Sequence, residues 1–398
     1  MEKFNYLALD NIPKELKLLL RIVNSDKIEE ELRGESDLLL GIDWHLFLKQ
    51  ARHHRVYPLI YVKLKDVNEN IIPPFVIDQL ANDYKRNTFQ MLHLSAELDT
   101  LSKVFLKKNI KSIFLKGPVL AQDLYGDVSR RTSSDLDLLI SINDLSRVEE
   151  LLVSEGYEKD DYIETVFSEW KWRHHHVTFF HSKKRTKVEV HWRMNPGPGK
   201  EPRFAELWER RRKSPLTVTP VYLLGKEDMF LFLASHGARH GWSRLRWLID
   251  IKKLLECPVN WVKVKHLLKE FHYVTTGEQS ILLASGLLGA KIPKEFNYFK
   301  AHSERVANQA VFYYENMVNL HTVPVPEYMA KYHKKHLYSL MSLRHKVLFL
   351  LSFLHPYPED AITLPLPKFL YFLYYPLRPF LWGWRKLRSS LPQRGTAM

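Results

Sequence analysis

The chain has 398 residues, enough for two or three domains, and its 45% hydrophobic content is that of a folded protein with a buried core. Lysine and arginine outnumber the acidic residues 59 to 45, and the formal net charge of +14 points to anionic partners such as nucleotide phosphates, nucleic acid or a membrane surface. A single cysteine, Cys257, excludes an intramolecular disulfide framework; with no apolar run and cleavage site at the N-terminus, a cytoplasmic protein is expected.

Residues 1 to about 108 read as a helical module. Asp43 is suited to cap a helix from Trp44 to His54, and after Pro73-Pro74 the run Phe75 to Lys108 carries apolar residues at helical spacing, as one helix or two. No chemistry is expected of this module, and its histidines, His45, His53, His54 and His93, are read as surface or packing residues.

From about 109 to 222 strands alternate with helices. Ser112 to Leu115 reads as a buried strand that breaks at Lys116-Gly117, where Pro118 opens a short helix that Gly126 can end. The next strand, Asp135 to Ile140, has a period of two that sends Asp135 and Asp137 to one face and Leu136 and Leu138 to the other. A helix then runs from Asn143-Asp144 to Gly156. His175 to His181 and Thr186 to Trp192 follow as strands of a hairpin across the basic turn Ser182 to Arg185, and Glu189 and His191 alternate with the apolar residues of the second strand. Met194 to Pro202 and Ser214 to Pro220 read as loops. Two helices, Lys226 to His240 and Arg244 to Leu255, flank a break at Gly241 and carry His236, His240, Arg244, Arg246, Trp247 and Asp250; helical patterns continue to about Leu354.

Two carboxylates on one strand face repel each other unless water or a divalent cation neutralises them, and such hard oxygen ligands suit Mg²⁺ or Mn²⁺. Glu189 supplies a third carboxylate if its strand lies beside that of Asp135 and Asp137. The Lys116-Gly117 turn at a helix start can offer backbone N–H groups to phosphate oxygens, and Arg131 can neutralise charge on a leaving pyrophosphate. Each signal alone is weak, but the order of strand, Lys-Gly, helix, Asp-x-Asp strand and later Glu-bearing strand is selective. His174, His175, His176, His181 and His191 invite a zinc reading, which the alternation of neighbouring strand residues and the lack of a completing Cys or carboxylate argue against. His191 shares a face with Glu189 and suits either a packed, hydrogen-bonded structural role or a substrate-binding one, while His236, Arg244 and Asp250 can line the cleft or form a polar network between helices.

In these segments the chain resembles the putative, uncharacterised nucleotidyltransferases of bacteria, related in fold to DNA polymerase beta. The resemblance rests on FLKGPVLAQDLYGD (114 to 127), RTSSDLDLL (131 to 139), VEVHW (188 to 192) and HGARHGWSRLRWLID (236 to 250), with weaker echoes at 43 to 59 and 374 to 379. It implies an α+β fold, a mixed-sheet nucleotidyltransferase core at 109–222 flanked by helical modules at 1–108 and 223–355, with a tail at 356–398. It also implies that Asp135, Asp137 and Glu189 are catalytic and metal-binding. Lys116, Gly117, Arg131, His191, His236, Arg244 and Asp250 are then the candidate nucleotide-binding residues. Lys116-Gly117-Pro118 departs from the Gly-Ser or Gly-Gly of the wider superfamily. The implied reaction is Mg²⁺-dependent transfer of a nucleoside monophosphate from a nucleoside triphosphate to a hydroxyl or phosphate of a small-molecule, sugar or peptide acceptor, with release of pyrophosphate. Phosphoryl or glycosyl transfer at the same site, and a non-catalytic scaffold on a membrane surface, are the alternatives.

Six basic residues, Lys368, Arg378, Arg385, Lys386, Arg388 and Arg394, and no acidic one lie between Pro365 and Met398. The rest of the surplus charge is spread thinly and no nucleic-acid-binding signature is present, which argues against a nucleic-acid partner. The stretch 365–388 has the length of a membrane span, but four prolines and its charges argue against one. It reads as an interfacial membrane contact or as an extended tail packing its aromatics on the protein.

Overall fold

The computed structural model describes residues 7–34, 39–320 and 324–390, apart from the single positions 162, 164 and 168; Arg394 lies outside them. The fold is α+β. Its one sheet contains β1 (Ser112–Phe114), β2 (Asp135–Ile140), β3 (Glu158–Lys159), β4 (His176–His181), β5 (Thr186–His191), β6 (Arg212–Lys213) and β7 (Tyr222–Leu223), in the order β3-β4-β5-β2-β1-β7-β6. β2 runs parallel to β5, and β1 to β7; the other neighbours are antiparallel, so the sheet is mixed.

The connection from β1 to β2 follows from local chemistry. Gly117 takes φ 72° and ψ −143°, a conformation closed to side chains with a Cβ, and Pro118 begins the helix Pro118–Tyr125. Gly126, left-handed at φ 68°, ends it, and the chain turns back into β2. β4 and β5 form the expected hairpin. The two-residue strands β3, β6 and β7 are too short to show a period in the sequence.

Alternation divides the central strands between two environments. Leu136, Leu138, Ile140, Val188 and Val190 are buried with Met91, Leu94, Leu98 and Leu101 of the long helix Pro74–Lys107 and with Val148 and Leu152 of the helix Leu145–Ser154. This helix of 34 residues is continuous, and its polar residues Asn87 and Glu97 are buried too. The opposite face carries Asp135, Asp137, Lys187, Glu189 and His191. A larger core joins the N-terminal helices, through Leu16, Phe47 and Ile60, to the helices Lys226–Arg239, Leu245–Leu255 and Val274–Leu288, through Phe230, Leu248 and Ile281. Asp43 caps the helix Trp44–His53 by accepting from the amides of His45 and Leu46.

The C-terminal stretch is not extended. It forms a 3₁₀ segment, Lys368–Leu373, and a helix, Tyr374–Ser390, which contains Pro379. Tyr374 is buried, but Phe369, Phe380, Trp382 and Trp384 are exposed, so the expected packing of the tail aromatics on the protein is largely absent. Among the described residues, no helix is long and apolar enough to cross a membrane.

Candidate active site

Parallel pairing of β2 with β5 sets Asp135 opposite Lys187, Asp137 opposite Glu189 and Leu139 opposite His191. The period of two then delivers all three carboxylates to one face. Asp137 is fully buried; its Oδ1 lies 2.9 Å from Lys116 Nζ and 3.3 Å from His191 Nε2, which donates to it. Lys187 Nζ stands 2.7 Å from Glu189 Oε1 and 3.1 Å from Asp135 Oδ2, and His191 Nε2 is 3.6 Å from Glu189 Oε2.

These partners fix the charge of the site. Burial alone would push the Glu189 carboxyl up, but the His191 hydrogen bond and the Lys116 and Lys187 charges hold it well below the usual carboxylate range. Burial likewise opposes the charged form of His191, yet hydrogen bonds to Asp137 and Glu189 raise it above an ordinary histidine. Lys187, despite its partial burial, is held protonated above its ordinary range by Asp135 and Glu189.

The face opens into a cavity of about 920 Å³, a volume that accommodates a nucleotide. Its walls carry Arg55, Arg86, Lys116, Lys187, Arg239, Arg244 and Arg246 against two carboxylates, Asp135 and Glu189, so its field favours a polyanion. Thr132, Ser133 and Ser134, just ahead of β2, add hydroxyl groups, and Tyr57 and Trp247 add aromatic surface. Trp247 is stacked on His240, with ring centroids 5.0 Å apart.

Of the residues singled out in the sequence, Lys116, Asp135, Glu189, His191, His236 and Arg244 line this cavity, and Asp137 lies directly beneath it. Arg244 donates to His53 Nδ1 at 2.7 Å and to Asn319 Oδ1 at 2.8 Å, tying the cavity wall to the N-terminal helices. Gly117 is not on the wall. Glycine is required there by the positive φ of the turn, and Lys116 is the residue that reaches inward.

Arg131 and Asp250 are also absent from the wall. Arg131 Nε and Nη2 each donate to Asp250 at 2.9 Å, Nη1 donates to the Thr132 carbonyl, and Tyr125 OH donates to Asp250 Oδ1 at 2.7 Å. Both charged side chains are almost fully buried, so this geometry locks β2 to the helix Leu245–Leu255 and keeps Arg131 off the cavity wall, where a pyrophosphate would bind.

The N-terminal module reaches the cavity, since Arg55, Tyr57, Arg86, Asn87 and Gln90 form one side of it, a contribution that its sequence did not suggest. Arg86 and Gln90 are one helical turn apart, a spacing visible in the sequence. Lys187 was legible as well, because it shares the period-two face of Glu189 and His191.

Among the described residues two overlapping groups could hold a metal ion: Asp137, Glu189 and His191, and His175, His176 and His191. The argument from strand alternation against a histidine cluster fails. β4 begins only at His176, and the rings of His175 and His176 meet edge-on, 4.4 Å apart. Arg239, however, donates to His175 Nε2 at 3.1 Å, and a buried guanidinium there disfavours a dication. Burial, then neighbouring cations, keep His175 and His176 neutral, His176 down at about 4. The carboxylate group fits a hard cation better, and Asp137 Oδ2 is buried without a hydrogen-bond partner, as a metal-ligating oxygen would be in the absence of its ion.

A mixed sheet with two carboxylates on the wall of a basic cleft and a third buried beneath them has the parts expected of a nucleotidyltransferase-type core. A family model described as "Uncharacterised nucleotidyltransferase" matches residues 41–289, and the chain belongs to that family. No curated protein and no solved structure matches the chain.

Proposed function

We propose that the cleft transfers a nucleoside monophosphate from a nucleoside triphosphate to a hydroxyl or phosphate oxygen of a small-molecule, sugar or peptide acceptor, with Mg²⁺ or Mn²⁺ held by Asp135, Asp137 and Glu189. The observation that carries this reading is the register of Asp137 against Glu189 on parallel strands, with Asp135 two residues away, at the base of a basic cavity.

When bound, the cation would neutralise charge on the triphosphate and make an acceptor hydroxyl more acidic. Arg55, Arg86 and Arg246 extend the positive wall and hold the phosphates. Lys116 and Lys187 sit on the carboxylates themselves and can neutralise the charge that develops as the acceptor oxygen attacks the α-phosphorus. The bond from the α-phosphorus to the bridging oxygen breaks, pyrophosphate leaves, and the acceptor proton passes to solvent water, while Glu189, held ionised by His191, Lys116 and Lys187, serves as a cation ligand. Tyr57 and Trp247 offer flat apolar surface to the base.

The test uses the full chain with Mg²⁺ and each of the four nucleoside triphosphates, labelled in turn at the α- and γ-phosphate, with water as the default acceptor. Slow release of α-labelled monophosphate with pyrophosphate, abolished in D135N/D137N, is expected. Release of γ-label alone would assign phosphoryl transfer instead, and undiminished turnover in D135N/D137N would remove the carboxylates from the mechanism.

A further inference from the structure

Large exposed apolar side chains are concentrated near the C-terminus. The helix Leu343–Ser352 buries none of its residues, and exposes Leu343, Val347, Leu350 and Leu351. Beyond it, Phe369 (75%), Phe380 (74%), Trp382 (54%) and Trp384 (58%) stand out from the surface. A soluble surface seldom gathers this many large apolar groups in one segment without a partner.

The display is held in place by buried charge. Asp360, fully buried, pairs with both Arg378 and Arg385, the latter at 2.7 Å, and so binds the helix Tyr374–Ser390 to the helix Pro358–Thr363. Tyr374 is buried and its hydroxyl donates to the Leu364 carbonyl while accepting from the Leu366 amide. Internal polar contacts thus fix the segment while its rings face outward, the reverse of a tail that collapses to hide them.

Charge selects the partner. Residues 343–390 contain seven lysines and arginines and two acidic residues, Glu359 and Asp360, of which Asp360 is already neutralised internally. Lys386 and Arg388 lie over the rings of Trp382 and Trp384, which puts cationic groups and tryptophan side by side. Tryptophan with lysine and arginine is the composition of the headgroup zone of a bilayer, and the absence of a spanning helix among the described residues leaves an in-plane contact. An apolar cavity of about 370 Å³, lined by Leu340, Met341, Phe349 and Tyr273, opens among neighbouring helices and shares Arg239 with the catalytic cleft, so the face and the cleft adjoin.

We propose that the face formed by the helix Leu343–Ser352 and residues 368–388 docks the protein on an anionic membrane surface. Aromatic and leucine side chains enter the interface, and Lys368, Lys386 and Arg388 meet the lipid phosphates. The docking does not depend on the reaction proposed for the cleft.

Co-sedimentation of the full chain with phosphatidylcholine vesicles, and with vesicles holding about one-third phosphatidylserine, tests this. Binding to the anionic vesicles at least about tenfold stronger than to the neutral ones is expected. F380S/W382S/W384S should abolish it, and K386E/R388E should weaken it about tenfold, with unfolding midpoints unchanged because all five side chains are exposed. Absence of sedimentation with either vesicle type, or full binding by both variants, would overturn the proposal. So would a self-associated wild-type chain that F380S/W382S/W384S converts to monomer, which would assign the face to a second copy of the protein.

Discussion

Replacing Arg131 by methionine should destabilise the protein with no direct loss at the nucleotide site. The substitution removes three hydrogen bonds to Asp250, at 2.9, 3.2 and 2.9 Å, and leaves a carboxylate at zero exposure with only the Tyr125 hydroxyl as partner. Breaking one side of a buried ion pair typically costs about 3–5 kcal/mol. A loss of about 3–5 kcal/mol is therefore expected from urea unfolding of the isolated protein, measured as a shift of midpoint at unchanged slope. Y125F/R131M/D250L, which replaces the whole buried polar cluster with apolar groups, should recover most of that loss. If R131M instead kept the wild-type midpoint while nucleotide affinity fell tenfold or more, Arg131 would be a phosphate ligand and the structural role assigned to it would be wrong.

Two further outcomes follow from named contacts. In K187M the carboxylates of Asp135 and Glu189 lose their shared ammonium; the metal-free protein should weaken by about 1 kcal/mol after solvent screening, and its thermal midpoint should respond to lower Mg²⁺ concentrations than wild type, whereas an unchanged Mg²⁺ response would show that Lys187 does not compete with the ion. His336, buried beside Gln279 and Tyr313, has its pKa lowered to about 4 by burial and then by His333, against about 6.5 when unfolded. The unfolded chain takes up this proton first, so stability should fall as pH drops from about 6.5 to 4, by roughly 3 kcal/mol from this group, and H336Q should flatten that slope in pH-dependent unfolding.

The carboxylate-bearing strands were legible in the sequence because they depend on local rules. Alternation placed Asp135 with Asp137 and Glu189 with His191, while Gly117, Pro118 and Gly126 marked the ends of one short helix. What alternation could not provide was the choice of neighbour: whether Glu189 comes beside Asp137 depends on β5 pairing in parallel with β2, a contact between residues more than 50 positions apart. Arg131 illustrates a second limit. Its spacing before Asp135 suited a phosphate ligand, but its fate was decided by Asp250, 119 residues later, which takes the guanidinium into the core. Arg86 and Gln90 went unrecognised because nothing local distinguishes a polar helical residue facing solvent from one facing a cleft; only packing of the long helix against the sheet does so, and Arg55, in the turn after the helix Trp44–His53, likewise takes its place from packing. The histidine pair escaped for a smaller reason, a strand that starts one residue later than the pattern indicated.

The cavity draws its wall from Arg55 and Tyr57, from Arg86 to Gln90, from both central strands, from the helices that carry His236 and Trp247, and finally from Asn319. No contiguous fragment shorter than residues 55–319 contains it. During synthesis the ribosome would have to release about four-fifths of the protein before Asn319 could meet Arg244, and the N-terminal helices would wait, with their half of the core unfilled, for the helices that complete it. Binding competence is therefore acquired late and at once. A chain that ends before Arg239 presents the carboxylate strands with Arg55 and Arg86 but without Arg239, Arg244 and Arg246, which makes the complete cleft a marker of a fully assembled molecule.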